Sequence, residues 1–215
     1  MATDTAVLHG FPHRFVPAGA AQEGQTLLLL HGTGGDERDL LPLGRELAPQ
    51  AALLSPRGQV SERGMPRFFR RFPDGRFDED DLVRRAADLA GFVREAASTY
   101  RLDPARIYAA GYSNGANIAG AVLLLHQGIL AGAVLIRPML PLEPPRVPDL
   151  DGIPVLLLAG EADPYASRDS VERLAELLDA AGAAVDLRWA PAGHEVLPGE
   201  PIAAREWLGQ VTAGH

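Results

Sequence analysis

The sequence predicts an α/β protein: a mostly parallel central sheet flanked by helices on both faces. Two observations carry this. Short apolar runs alternate along the chain with longer segments of helical periodicity, the pattern of repeated strand–helix units. Several of these runs, such as Leu27–Leu30 and Ile153–Ala159, are apolar at every position, as strands buried on both faces must be. A chain of 215 residues with 47% hydrophobic content suits one domain with one sizeable core, so residues 1–215 are read as a single domain.

Taken in order, the predicted strands are His13–Pro17, Thr26–Leu30, Ala51–Ser55, Arg106–Ala110, Gly132–Ile136, Val155–Ala159 and Val185–Ala190. The predicted helices are Glu37–Ala48, Asp80–Tyr100, Asn114–Gln127, Ser167–Ala181 and Pro201–Val211. Within the second helix, Leu82, Ala86, Leu89, Phe92 and Val93 recur at helical spacing and mark its core face. The Pro-rich stretch 138–148 is too short for an interdomain spacer and reads as a connection.

The motif that carries chemistry is Gly111-Tyr112-Ser113-Asn114-Gly115. It falls between a predicted strand and an Ala-rich predicted helix, the context that makes G-x-S-x-G a nucleophile elbow. A serine at the apex of a tight strand-to-helix turn projects its hydroxyl from the sheet. The flanking glycines let the strand and the helix approach each other. The new helix aims its free N–H groups at an oxygen that becomes negative during acyl transfer.

The partners follow in the order Ser, acid, His that an α/β-hydrolase requires. Asp163 lies in the loop Gly160–Pro164, just past a buried strand, at the sheet edge where ligand chemistry collects. Glu161 is the alternative acid, nearer the strand. His194, in Gly193-His194-Glu195, follows the last predicted strand. It is the one histidine of six with both the right order and a loop setting. The Gly-rich turn after Leu27–Leu30, His31–Glu37, supplies an oxyanion donor. The two backbone donors are then the N–H groups of Thr33 and Asn114. A phosphate-binding reading of the same turn fails. Gly32-x-Gly34-x-x-Glu37 lacks the third glycine, there is no G-K-[ST], and the chain contains no lysine.

These residues resemble the phospholipase/carboxylesterase family of α/β-hydrolases, relatives of the acyl-protein thioesterases. Arg57-Gly58, the run 64–71, the run 77–81 and Gly111–Ile118 are similar to a bacterial branch associated with hydroquinone and quinone stress. The resemblance covers nearly the whole chain. It implies an α/β-hydrolase fold, Ser113, Asp163 and His194 as a catalytic triad, and esterase or thioesterase activity. The elbow departs from the usual G-F-S-Q-G of the thioesterase branch at Tyr112 and Asn114, and the oxyanion turn carries an extra glycine, Gly35.

One segment breaks the strand–helix rhythm. Residues 56–77 hold four of the seven phenylalanines, Phe68, Phe69, Phe72 and Phe77, and six arginines. Loops of this length in a compact domain are usually functional or disordered. One reading is a partial lid whose aromatics line an acyl or aryl pocket, with Phe68, Phe69 and Arg70 as substrate-binding residues. The other is a satellite core whose arginines pair with Asp78, Glu79, Asp80 and Asp81.

Bulk properties narrow the rest. The formal charge of −8 argues against nucleic acid as a partner. The absence of cysteine rules out disulfide and thiol chemistry. Met1–Thr5 shows neither a basic n-region nor an apolar core of a signal peptide, and no apolar run approaches a membrane span. The reading is a cytoplasmic enzyme with a small-molecule ester or thioester substrate. It needs no metal and no organic cofactor. A homodimer is compatible with it, and the oligomeric state stays open. An acyl-protein thioesterase or lysophospholipase and a non-catalytic ligand-binding protein are the alternatives.

Overall fold

The computed structural model describes residues 5–19 and 24–213, so most of the Met1–Thr5 stretch lies outside the described residues. The strands are β1 (Ala6–Leu8), β2 (Phe11–Val16), β3 (Thr26–Leu30), β4 (Ala52–Pro56), β5 (Val60–Glu62), β6 (Met65–Arg67), β7 (Ile107–Tyr112), β8 (Gly132–Ile136), β9 (Pro154–Gly160) and β10 (Ala184–Ala190). The α-helices are α1 (Leu41–Leu47), α2 (Glu79–Tyr100), α3 (Asn114–Leu125), α4 (Arg168–Ala180) and α5 (Gly199–Ala213). The main sheet runs β1-β2-β4-β3-β7-β8-β9-β10. From β4 to β10 all neighbours are parallel, and β1 and β2 pair antiparallel at one edge. β5 and β6 form a separate antiparallel hairpin.

Both faces of the sheet are covered. Alternate residues of the central strands divide between two layers, as the two-residue period of a strand requires. Leu28, Leu30, Ala109, Leu135 and Leu157 join Leu82, Phe92, Ile118 and Leu174 of α2, α3 and α4. Leu27, Leu29, Tyr108, Val134 and Leu156 join Leu47, Ala204 and Trp207 of α1 and α5. Leu27 to Leu30 are each at most 1% exposed, and each such side chain contributes about 1.5–3 kcal/mol on burial. The starts of α2 and α4 are capped by side chains. The Asp78 carboxylate accepts the Asp81 N–H at 3.1 Å, and the Ser167 hydroxyl accepts the Ser170 N–H at 3.3 Å.

The predicted helix Glu37–Ala48 begins later, at Leu41. Glu37 is drawn inward instead. Its carboxylate accepts from Thr5 Oγ1 at 2.8 Å and lies 3.0 Å from Arg57 Nε. Pro42 then occupies the first helical turn, where a missing N–H costs nothing. The antiparallel strand β1 and the hairpin β5–β6 are additions to the predicted set. Among the described residues, no helix is long and apolar enough to cross a membrane.

Candidate active site

Ser113 sits between β7 and α3 with φ 53° and ψ −114°. A left-handed backbone at a non-glycine residue is strained by roughly 1–3 kcal/mol and persists only where the surroundings enforce it. Here both flanks enforce it. A Cβ on Gly115 would lie 1.8 Å from the Leu30 carbonyl oxygen, and one on Gly111 would lie 2.5 Å from the Gly115 carbonyl oxygen. Only glycine lets α3 start against the end of β3. The Ser113 N–H donates to Ile136 O at 2.8 Å, which pins the turn to β8.

Asp163 and His194 follow β9 and β10, so all three side chains gather at the C-terminal edge of the sheet. His194 Nε2 is 2.9 Å from Ser113 Oγ, and its Nδ1 is 2.8 Å from Asp163 Oδ2. The Asp163 side chain is 1% exposed, against 23% for His194. Its other oxygen accepts the Tyr165 N–H at 2.9 Å and the Ala166 N–H at 3.4 Å. The carboxylate is thus fixed by its own loop and presents its remaining oxygen to the ring. Glu161, the alternative acid, is exposed.

The Gly-rich turn after β3 abuts the elbow. A Cβ on Gly32 would meet the Tyr112 ring at 2.8 Å. Asn114 opens α3, so its N–H is one of the first-turn donors that have no acceptor within the helix. Segment 56–77 lies on the outer side of this turn. Gly34 N–H donates to Pro66 O at 2.9 Å, and Arg67 Nη1 donates to Thr33 Oγ1 at 2.7 Å. The Phe68 N–H donates to Asn114 Oδ1 at 2.7 Å, and the Phe68 and His31 rings are 4.7 Å apart.

The family model described as phospholipase/carboxylesterase matches residues 12–210. The chain belongs to that family. It is 48% identical over 181 residues to MhqD of Bacillus subtilis (strain 168), assigned as a hydrolase, with 84% of this chain and 90% of that protein aligned. The Bacillus cereus carboxylesterase shares 44% identity and a TM-score of 0.90, covering 93% of this chain and 94% of its own. A carboxylesterase from Mesorhizobium loti shares 37% identity and a TM-score of 0.87, covering 96% and 99%. This chain therefore has the α/β-hydrolase architecture of carboxylesterases.

In this member of the phospholipase/carboxylesterase family, Phe68 and Phe69 pack in the interior and Arg70 reaches toward α2, the arrangement of the satellite-core reading of the segment. Phe69 is fully enclosed in the core, with Phe77 edge-on at 4.9 Å, and has no surface to offer a ligand. Phe68 is 2% exposed and backs the Gly-rich turn through His31. Arg70 is half exposed and its guanidinium lies 2.9 Å from Asp78 and 3.7 Å from Asp81, at the acidic start of α2. The carboxylates of that helix start draw the guanidinium, which itself stays largely in solvent while Asp81 is buried. Exposed ion pairs contribute only about 0–1 kcal/mol. Arg70→Ala is therefore expected to change kcat/KM on a neutral and an anionic aryl ester by the same small factor. A loss confined to the anionic ester would return Arg70 to the pocket.

Three residues near the site have contacts that the sequence did not reveal. The Tyr112 hydroxyl donates to His194 O at 2.9 Å. Burial pushes its phenol above the ordinary value, against the pull of Arg137, so it stays a donor. Tyr165 stands edge-on to the His194 ring at 4.9 Å and is 66% exposed, at the rim. Arg67, buried under the turn, holds Thr33.

His31 has a different part in the same region. Its Nδ1 donates to Gly32 O at 2.7 Å, and Nε2 accepts the Gly58 N–H at 3.0 Å. The ring is therefore neutral, and burial holds it below the ordinary value of 6.5, against Gly32 O and the acidic Asp39, Asp36 and Glu37. In the unfolded chain the ring takes up its proton at the higher pH. As pH falls below 6.5 the unfolded state binds the extra proton first, so stability drops until the folded ring also protonates. His31→Gln is expected to flatten the dependence of the unfolding free energy on pH in that window, measured by urea titration. His126, also held low by burial, leaves a residual slope. An unchanged slope would contradict this account of His31.

Proposed function

We propose that the chain is a serine carboxylesterase that cleaves small esters or thioesters through an acyl-enzyme. The observation that carries this reading is the continuous hydrogen-bonded series from Asp163 through His194 to a serine at the apex of a strained elbow. His194 Nε2 accepts the Ser113 proton as Oγ attacks the substrate carbonyl. Asp163 fixes the Nδ1–H tautomer and stabilises the imidazolium. The developing oxyanion is taken up by the N–H groups of Thr33 and Asn114. The protonated His194 gives its proton to the departing alkoxide or thiolate. Water, deprotonated by His194, then releases the acid and restores Ser113.

Short acyl or aryl substrates are favoured by what surrounds the series. The aromatic side chains that touch His194 are Tyr112 and Tyr165. Phe68 and Phe69 pack in the core, and the hairpin β5–β6 lies against Gly34 of the Gly-rich turn through Met65 and Pro66. A p-nitrophenyl ester series from acetate to laurate tests this. The expected kcat/KM is highest at two to four acyl carbons and falls by at least about tenfold towards laurate, since a pocket that cannot take added methylenes forgoes roughly 1–3 kcal/mol of binding for each. An optimum at long chains would favour an acyl-protein thioesterase or lysophospholipase, and no turnover of any member would favour a ligand-binding protein.

A further inference from the structure

Arg137 directly follows β8 and is among the largest wholly buried side chains, 1% exposed. Its backbone is left-handed, φ 53°, and its N–H donates to Leu158 O at 2.8 Å. All five guanidinium protons are placed. Nε donates to Gly193 O at 3.0 Å. Nη1 donates to Leu158 O at 3.2 Å and to Glu200 Oε1 at 2.7 Å. Nη2 donates to Glu200 Oε2 at 2.7 Å and also to Glu195 O. Gly193 and Glu195 are the two neighbours of His194, whose own carbonyl is held by Tyr112. Three consecutive carbonyls around the imidazole are thus fixed from beneath. Glu200, near the start of α5, anchors the other side by accepting the Leu197 N–H at 2.7 Å.

A buried ion pair is a poor device for stability alone, because an apolar pair of similar volume often does as well. What an apolar pair cannot do is hold two loop carbonyls at once. That needs the planar fork of arginine; lysine has three donors on one atom. We infer that Arg137 and Glu200 form a positioning pair that keeps His194 in line with Ser113 and Asp163. This rests on the assignment of His194 as the general base.

The test uses the intact chain with Arg137→Met/Glu200→Met, which removes both charges together, and Glu200→Gln, a smaller change that folds if the double variant does not. Each is compared with the parent for kcat, KM and the second-order rate of phosphonylation by a fluorophosphonate. Displacement of a catalytic group by about 1 Å costs on the order of 10²-fold. The expected result is a fall of about 10- to 100-fold in kcat and in the phosphonylation rate for the double variant, with KM within about threefold. Glu200→Gln falls in the same direction by less. A folded variant with parental kcat and phosphonylation rate, even with a lowered Tm, would overturn the inference and leave a purely structural pair. Ser113→Ala, measured alongside, separates the two levels. If it still turns over ester, the triad assignment has failed; if it is dead while the clamp variants are unimpaired, only the positioning pair has.

Discussion

Ser113→Ala is expected to lower kcat by roughly 10⁴–10⁶-fold and to leave the chain folded. The size follows from the role. Without Oγ there is no covalent intermediate, and the residual rate is what the oxyanion donors and substrate binding can supply. The fold tolerates the change because alanine keeps the Cβ that the elbow already accommodates at φ 53°. Ser113→Gly sharpens the test. It relieves the left-handed strain, so it should abolish turnover while raising the unfolding free energy by about 1 kcal/mol or more. Turnover close to that of the parent in either variant, once its substituted mass and its purity are verified, would place the chemistry elsewhere.

Asp163→Asn carries the second large effect, a fall of about 10⁴-fold in kcat with substrate binding retained. Asparagine fits the same space and can still accept the Tyr165 N–H that Oδ1 now takes. Its amide, however, turns a donor toward His194 Nδ1, where the carboxylate Oδ2 accepts at 2.8 Å. The ring then favours the tautomer that carries its proton on Nε2 and cannot take one from Ser113. Glu161→Gln is the contrast: that side chain is exposed and is expected to be within a few-fold of the parent. The reverse outcome, a dead Glu161→Gln and an active Asp163→Asn, would move the acid to the other carboxylate.

The parts of the fold that the sequence revealed are those whose physics is local. Thr26–Leu30 and Val155–Ala159 read as strands because burial on both faces demands a nearly unbroken apolar run, and the observed β3 and β9 are buried throughout. The hairpin β5–β6 escaped because Val60–Glu62 and Met65–Arg67 are three residues each, too short to show a period. Helix α1 was drawn too long because Glu37–Leu40 has helical composition, whereas the Glu37 carboxylate is held by partners 20 and 32 residues away in the chain.

The site divides in the same way. Ser113, Asp163 and His194 were legible because an elbow and a strand end leave short-range marks. Arg137 carried no such mark. Its partner Gly193 is 56 residues on and Glu200 is 63 residues on, and nothing local separates a buried arginine from the many exposed ones. Arg70 offered two local cues, its adjacency to two phenylalanines and the acidic run 78–81, and it sits beside Asp78 and Asp81. Segment 56–77 packs beside the Gly-rich turn. Its contribution there is backbone and Arg67 support of the Gly-rich turn, with the phenylalanines serving as packing.

Covalent labelling reaches the central claim most directly. A fluorophosphonate reacts with a serine only where a neighbouring base activates it and donors hold the phosphoryl oxygen. The chain has six serines, and one of them, Ser113, lies in a G-x-S-x-G context. Mass spectrometry of the treated protein should find one adduct per chain, and peptide mapping should place it on Ser113, with no adduct in Ser113→Ala. An adduct on any other serine, or none while ester turnover persists, would contradict the account.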